Sequence, residues 1–359
     1  MSSPDVAVIG AGIVGCAVAA FLAEDGASVM LVERDEVAAG ASGRNSGIVQ
    51  HPMEPELVRL FDETVGHYRD LAAHRFALPA EPNGVLVLAD GEPDPGGELD
   101  WLRTAFPELH AEALQPGEPT ALEPAVAPHL AGLRMDTGYA VPPAAATRAF
   151  AARAGAAGAE LRIGTGAALA PGGVTVDGRL VPAGAVVVAA GPWTPELVDP
   201  SGEWRPIAPL WGVNVEVRLA AAPRHALEEA GIERLFAEGG DPPPIFSLVT
   251  AAGTSSLGST FLPREPDPEI LAPRLRANGA RFVPALADTP IASVRACARP
   301  LSADGRPLLG RAPAREDVFV AAGHGPWGIS LGPASARRVA DLVLGRPAAL
   351  PAAFDPARF

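Results

Sequence analysis

The chain has 359 residues, and 28 basic against 42 acidic side chains give it a formal charge of −14; every one of the 28 cations is an arginine, and the only cysteines are Cys16 and Cys297. The missing lysine excludes a pyridoxal-phosphate aldimine, a Schiff-base aldolase and a Walker-type phosphate lysine. Two cysteines exclude a Cys₄ zinc site, an all-cysteine iron–sulfur cluster and a disulfide framework, and the acidic balance argues against a nucleic-acid partner. The length suggests about two domains at roughly 150 residues each. No stretch approaches the roughly 18 apolar residues of a membrane span, and the N-terminus lacks a basic region with a cleavage site. A soluble, reduced, cytoplasmic protein without a metal site is the expectation.

Val6-Ala7-Val8-Ile9 is a short, β-branched apolar run of the kind a buried parallel strand requires. Gly10-Ala11-Gly12-Ile13-Val14-Gly15 follows as G-x-G-x-x-G, and an alanine-rich helical pattern runs from Ile13 to Glu24 with Gly26 suited to its C-terminal cap. A second strand over 28–32 ends in Glu33. Gly10 permits the tight turn, Gly12 lets backbone approach a pyrophosphate, and Gly15 lets helix and strand pack closely. The helix N-terminus presents free N–H groups to the anion, and Glu33 stands where a carboxylate can accept hydrogen bonds from ribose hydroxyls. Strand, glycines, helix, strand and acid in that order predict a dinucleotide site.

The next segment, Gly40-Ala41-Ser42-Gly43-Arg44-Asn45-Ser46-Gly47, is dense in small donors and suits a long polar chain lying against backbone; by composition alone it also fits a surface loop. Helical spacing is expected over 57–76, a strand over 84–88 and a Pro/Gly loop over 91–97. An apolar strand over 185–189 leads into Ala190-Gly191-Pro192-Trp193, and 213–219 alternates with period two as a half-buried strand does. Asp241-Pro242-Pro243-Pro244 and the segment 264–268 read as rigid loops. Near the C-terminus come Arg299-Pro300-Leu301-Ser302-Ala303-Asp304-Gly305-Arg306-Pro307-Leu308-Leu309-Gly310, a strand over 318–321, then Gly323-His324-Gly325-Pro326-Trp327-Gly328 and a helix to about Leu344.

With these motifs the chain resembles the D-amino-acid oxidase/glycine oxidase superfamily of FAD-dependent amine oxidoreductases (the DAO family), over nearly its whole length and in the right order. The motifs are specific for the superfamily and not for a substrate. The resemblance implies an α/β protein: a Rossmann-type FAD-binding domain from 1–50, 140–204 and 300–359, with an antiparallel-sheet-containing substrate domain (α+β) from 51–139 and 205–299 inserted discontinuously.

It also implies roles for individual residues. Gly10, Gly12, Ile13, Val14 and Gly15 would cradle the pyrophosphate of FAD, with Glu33 and Arg34 at the adenosine ribose. Ser42, Arg44, Asn45 and Ser46 match the loop at the pyrophosphate and ribityl, and Gly47 and Ile48 would put backbone against the isoalloxazine. Ala167 would bracket the adenine, and Ala190, Gly191 and Trp193 would pass the cofactor chain. Gly325, Pro326, Trp327, Gly328, Ile329 and Ser330 would face the flavin N1/C2=O edge at a helix start. Pro326 has no N–H, so Trp327, Gly328 and Ile329 would supply the donors there. Arg299 would pair with a substrate carboxylate, a task suited to a planar guanidinium.

Cys297 lies seven residues before Asp304, where sarcosine oxidases bind flavin covalently; it reads either as that attachment point or as a buried free cysteine. The retained Arg-Pro pair and the absence of the lysine that sarcosine oxidases place near the flavin favour noncovalent FAD. His51 either lines the active site and orients substrate or begins the next helix. His324 is expected to act through packing, His225 to lie on the surface, and Trp211, Asn214, Phe246 and Ser247 to be cavity candidates.

The implied reaction is oxidation of the C–N bond of an amino acid or secondary amine (a D-amino acid, a glycine-like substrate or a cyclic imino acid) by hydride transfer to flavin N5. Oxygen or another acceptor would then take the electrons. The alternatives are a 2-hydroxy-acid dehydrogenase on the same scaffold, with His51 as base, and a noncatalytic FAD-bound module.

Overall fold

The computed structural model describes residues 3–94, 97–231, 243–313 and 315–359. Its first sheet has six strands in the order Leu308–Ala312, Arg315–Ala322, Ala185–Val188, Val6–Ile9, Val29–Glu33 and Glu160–Ile163. All neighbours run parallel except the hairpin of the first two. Both faces of this sheet are covered, which is why its strands read as unbroken apolar runs. Val6, Val8 and Leu31 pack under the helices Ile13–Glu24, Ala145–Ala156 and Gly328–Val343. Ala7, Ile9, Met30 and Val32 face the small antiparallel sheet of Ala167–Ala170, Gly173–Val176 and Arg179–Pro182. Val186, Val187 and Val188 are fully buried, and each such side chain contributes roughly 1.5–3 kcal/mol.

The helix Ile13–Glu24 spans the expected residues, and Gly26 (φ 92°) follows its cap with Gly26 N–H donating to the Ala23 carbonyl and Ala27 N–H to that of Leu22. The helix expected over 57–76 is Pro55–Arg69; a separate turn, Ala72–His74, closes on Arg75 in the left-handed region (φ 64°).

The second large sheet has eight strands in the order Ile291–Ser302, Ile207–Val217, Thr254–Gly258, Ser247–Ala251, Ala226–Glu229, Val85–Asp90, Leu130–Met135 and Glu112–Leu114. Alternation gives it two unlike faces. Val213, Val215, Val217, Leu227, Leu248 and Leu257 bury one face against the helix Pro268–Phe282. The other carries Glu216, Ser256, Asn214, Ser247, Glu228 and Arg295. The strand Ile291–Ser302 pairs with Ile207–Val217 along nearly its whole length, continuing past residue 300.

The rigid loop expected over 264–268 ends as the start of a helix that sequence pattern did not reveal. Pro268 takes its first position and the Asp267 carboxylate accepts the Glu269 N–H at 3.0 Å. Of the other proline-rich loop, Asp241 and Pro242 lie outside the described residues. Among the described residues no helix is long and apolar enough to cross a membrane.

Candidate active site

The glycine turn after Val6–Ile9 is built for close approach. Gly10 has φ 107°, and a Cβ there would lie 2.5 Å from the Ala189 carbonyl oxygen; one on Gly15 would lie 1.9 Å from that of Gly10. Only glycine fits either position. The helix that follows starts against a sequence-distant loop, with Ile13 N–H donating to Ser42 Oγ at 2.9 Å. Glu33 holds the turn from the next strand: its carboxylate accepts Ala11 N–H at 2.8 Å and Asp35 N–H at 2.9 Å.

These elements open onto a cavity of about 1160 Å³, above the ordinary range for small-ligand pockets. At one end lie Glu33, Arg34, Ala167 and Trp193, with the Arg34 guanidinium 4.3 Å over the Trp193 ring. The wall continues through Gly10, Gly12, Ile13 and Val14, then Ser42, Arg44 and Asn45, with Ala190 and Gly191 opposite. The far end is formed by Cys297, Arg299, Gly325, Pro326, Gly328 and Ile329. A long, glycine-floored trough that runs from a ribose-competent carboxylate past a helix N-terminus fits an extended dinucleotide.

Several expected residues stand outside the cavity wall. Gly15 packs behind the turn. Gly47 has φ 84° and its carbonyl accepts Val141 N–H at 2.8 Å, Ile48 pairs with Ala140 of the strand Tyr139–Ala140, and Ser46 also lies outside the wall. Ser330 Oγ accepts Gln50 N–H at 2.9 Å. The Trp327 N–H is engaged with the His324 carbonyl at 3.0 Å, so of the three donors expected beside Pro326 only Gly328 and Ile329 are offered, in the first turn of Gly328–Val343 where N–H groups lack intrahelical acceptors.

Arg299 projects into the far end from Ile291–Ser302. Its Nη1 donates to the Thr260 carbonyl at 2.9 Å and its Nη2 to Ser259 Oγ at 2.7 Å. Its plane lies 4.4 Å over the Phe261 ring. Burial lowers its proton affinity, yet an arginine stays cationic at any physiological pH. Gly212, Ser259, Thr260 and Phe261 had no signature in the sequence; cross-strand register brings them to Arg299.

Cys297 is buried in the same wall. Burial pushes its thiol up, against the opposing pull of Arg299, Arg44 and Arg295.

Two histidines correct the sequence reading. His51 is not in the cavity wall. It is buried between Phe61 and Phe106 at ring distances of 5.3 and 5.2 Å, with Nε2 3.3 Å from Glu108, and burial holds its imidazole below the usual histidine range. The cause is packing: aromatic rings from two distant segments close around a side chain that, in sequence, merely follows the loop. His225 is not a surface residue. Its Nδ1 lies 2.6 Å from the buried Glu123 carboxylate, which also accepts the Arg224 and His225 N–H groups, and it leads into the strand Ala226–Glu229. His324 does line the cavity; its ring bonds Ser335 Oγ at 3.0 Å, and burial pulls it down to about 4, keeping it neutral. Of the cavity candidates, Trp211 is in the wall. Asn214 and Ser247 lie beyond it on the polar sheet face, and Phe246 points the other way, stacked on Phe282 at 4.4 Å.

Comparison with known proteins agrees with this geometry. The family model DAO, described as FAD dependent oxidoreductase, matches residues 5–342. A glycine oxidase of Pseudomonas aeruginosa is 29% identical over 99% of each chain. A D-amino acid dehydrogenase of Paramagnetospirillum magneticum is 33% identical over 57% of this chain and 48% of its own. The crystal structure of glycine oxidase from Geobacillus kaustophilus superposes with a TM-score of 0.85, at 26% identity and full coverage of both chains.

Proposed function

The chain belongs to the DAO family of FAD dependent oxidoreductases, and from that premise we propose that it oxidises the C–N bond of an amino acid or secondary amine, with Arg299 as the anchor of the substrate carboxylate. The observation that carries the reading is the placement of Arg299. Its guanidinium stands on a rigid strand at the far end of a dinucleotide-sized trough, held on two sides by Ser259 and Thr260.

Gly10, Gly12, Ile13 and Glu33 hold the adenosine and pyrophosphate half of FAD in this reading. Ser42, Arg44 and Asn45 hold the middle, and the N–H groups of Gly328 and Ile329 favour negative charge at the flavin end. When bound, FAD would supply the acceptor for the hydride of the Cα–H bond as the C–N bond is oxidised to C=N. The protein then contributes orientation: Arg299 fixes the carboxylate, and the sheet roof excludes water from the reacting carbon. The cofactor is held noncovalently in this reading, on the retained Arg299-Pro300 pair and the absence of lysine, with Cys297 a buried free cysteine. The enzyme is cytoplasmic, and oxygen or another acceptor reoxidises it.

The hydroxy-acid alternative needs a base at the cavity. Among the described residues the cavity wall contains one imidazole, that of His324, which is buried and tied to Ser335, while His51 is walled off by Phe61 and Phe106. Anaerobic mixing of the FAD-loaded protein with a panel of amines and 2-hydroxy acids tests the reading. Bleaching by amines supports it, bleaching by hydroxy acids alone supports the alternative, and no bleaching by either class supports a noncatalytic module.

A further inference from the structure

The polar face of the eight-stranded sheet is organised around one cross-strand row. Register places Glu228, Ser247, Gly258, Asn214 and Arg295 side by side on five adjacent strands. The loop that runs through Arg44, Asn45 and Gln50 docks on this row at three points. Arg295 donates to the Asn45 carbonyl at 3.5 Å, Asn214 Nδ2 to the Arg44 carbonyl at 3.2 Å, and Gln50 Nε2 to Glu228 Oε2 at 3.4 Å. Arg44, Asn45 and Arg295 are themselves in the cavity wall, so the row continues the roof of the same site.

Arg295, at one end of the row, donates to Glu216, Ser256 and the Asn45 carbonyl; from Asn214 Oδ1 towards Glu228 the remaining groups are chiefly acceptors. Asn214 is 1% exposed and its Oδ1 has no hydrogen-bond partner among the described residues, a situation that disfavours the site until a donor fills it. A Cβ on Gly258 would meet that oxygen at 2.3 Å and Ser247 Oγ at 3.1 Å, so both oxygens lean over the bare glycine. Glu228 is next in line. Its one polar contact is the long one to Gln50, no cation among the described residues pairs with it, and burial pushes its carboxyl up. Ser247 and Glu228 are only half-buried, so both can be reached from outside the core. A carboxylate, a hydroxyl and an amide oxygen set along one cross-strand row are completed by a ligand that brings N–H groups and positive charge.

We propose that Glu228, with Asn214 and Ser247, forms a subsite for an ammonium or guanidinium group carried by the substrate, making the enzyme selective for amino acids with a basic side chain. The inference rests on Arg299 as the carboxylate anchor. Spacing separates this group from the reacting amine. The Arg299 guanidinium reaches over Gly212 to Thr260, at the end of the strand Thr254–Gly258, and one strand, Ser247–Ala251, lies between that strand and the one carrying Glu228, two spacings or roughly 10 Å. An α-ammonium next to its own carboxylate cannot span that distance, whereas a lysine or arginine side chain can.

The test uses FAD-loaded protein and two carboxylates with no α-amine to oxidise, 6-aminohexanoate and hexanoate. Binding is read from the perturbation of flavin absorbance and by calorimetry. The expected result is at least a 10-fold preference for 6-aminohexanoate, falling to a ratio near one in Glu228→Gln with unchanged FAD content. If that variant does not hold FAD, Ser247→Arg, which brings its own guanidinium to the cluster, shows the same loss of preference. Equal binding of the two ligands to the native protein, or a preference that survives both substitutions, overturns the proposal. Failure of both ligands to bind the native protein overturns the carboxylate anchor, and the subsite with it.

Discussion

Arg299 and Gly212 share one volume: a Cβ on Gly212 would lie 2.4 Å from Arg299 Nη2 and 2.5 Å from Cζ. The guanidinium can lie flat across the neighbouring strand because that strand is bare at this position. Gly212→Ala must displace it from Ser259 and Thr260. We expect kcat/KM for carboxylated substrates to fall by about 10-fold or more through KM, together with about 1–3 kcal/mol of lost stability from overpacking. Steady-state kinetics and thermal melting of the FAD-loaded variant check both.

Removing the charge goes further. Arg299→Met leaves the substrate carboxylate without its partner, and a loss on the order of 2–5 kcal/mol is expected in transition-state stabilisation. Arg299→Lys recovers little of it, because an ammonium cannot reproduce two parallel donors. The check is kcat/KM for an amino acid against its decarboxylated amine: both variants should lose activity on the first and change little in their relative rate on the second.

Glu33 ties the glycine turn to the second strand through Ala11 and Asp35. Glu33→Ala removes both ties and the carboxylate facing the cavity. FAD affinity should weaken by roughly 10-fold or more, the equivalent of about 1.4 kcal/mol, measurable by equilibrium ultrafiltration of the reconstituted protein.

His324 gives the fold an acid-sensitive element. Its folded-state value is depressed to about 4 from 6.5 by burial, so the unfolded chain binds the extra proton first as pH falls. Its contribution is fully present above the unfolded value. It is lost progressively between about 6.5 and 4, on the order of 3 kcal/mol in total. Denaturant titrations across that window should show the slope in the native protein and a shallower one in His324→Asn.

His51 makes the opposite kind of prediction. Enclosed by Phe61 and Phe106, it is not part of the cavity wall, so His51→Phe, if it folds, should keep kcat/KM for amines within about threefold. A loss of several hundredfold with FAD retained would return the residue to the active site.

Much of this molecule is legible in its sequence, for identifiable physical reasons. The parallel sheet shows itself because strands buried on both faces must be apolar throughout, as 6–9 and 185–188 are. The first turn shows itself because Gly10 and Gly15 admit no side chain. The helix Pro268–Phe282 was hidden because Pro273 and Gly279 interrupt its pattern. The holding of Arg299 was hidden for another reason: Gly212, Ser259 and Phe261 reach it through strand register, which leaves no local trace. The Trp327 N–H looked available because sequence does not show that a tight turn would engage it with His324.

The most direct test of the account is the anaerobic rate of flavin bleaching by one amino acid, measured beside its decarboxylated amine and its 2-hydroxy-acid counterpart. Rapid bleaching is expected with the amino acid, slower bleaching with the amine that lacks the carboxylate, and none with the hydroxy acid. Bleaching by the hydroxy acid alone, or equal rates with and without the carboxylate, would contradict it.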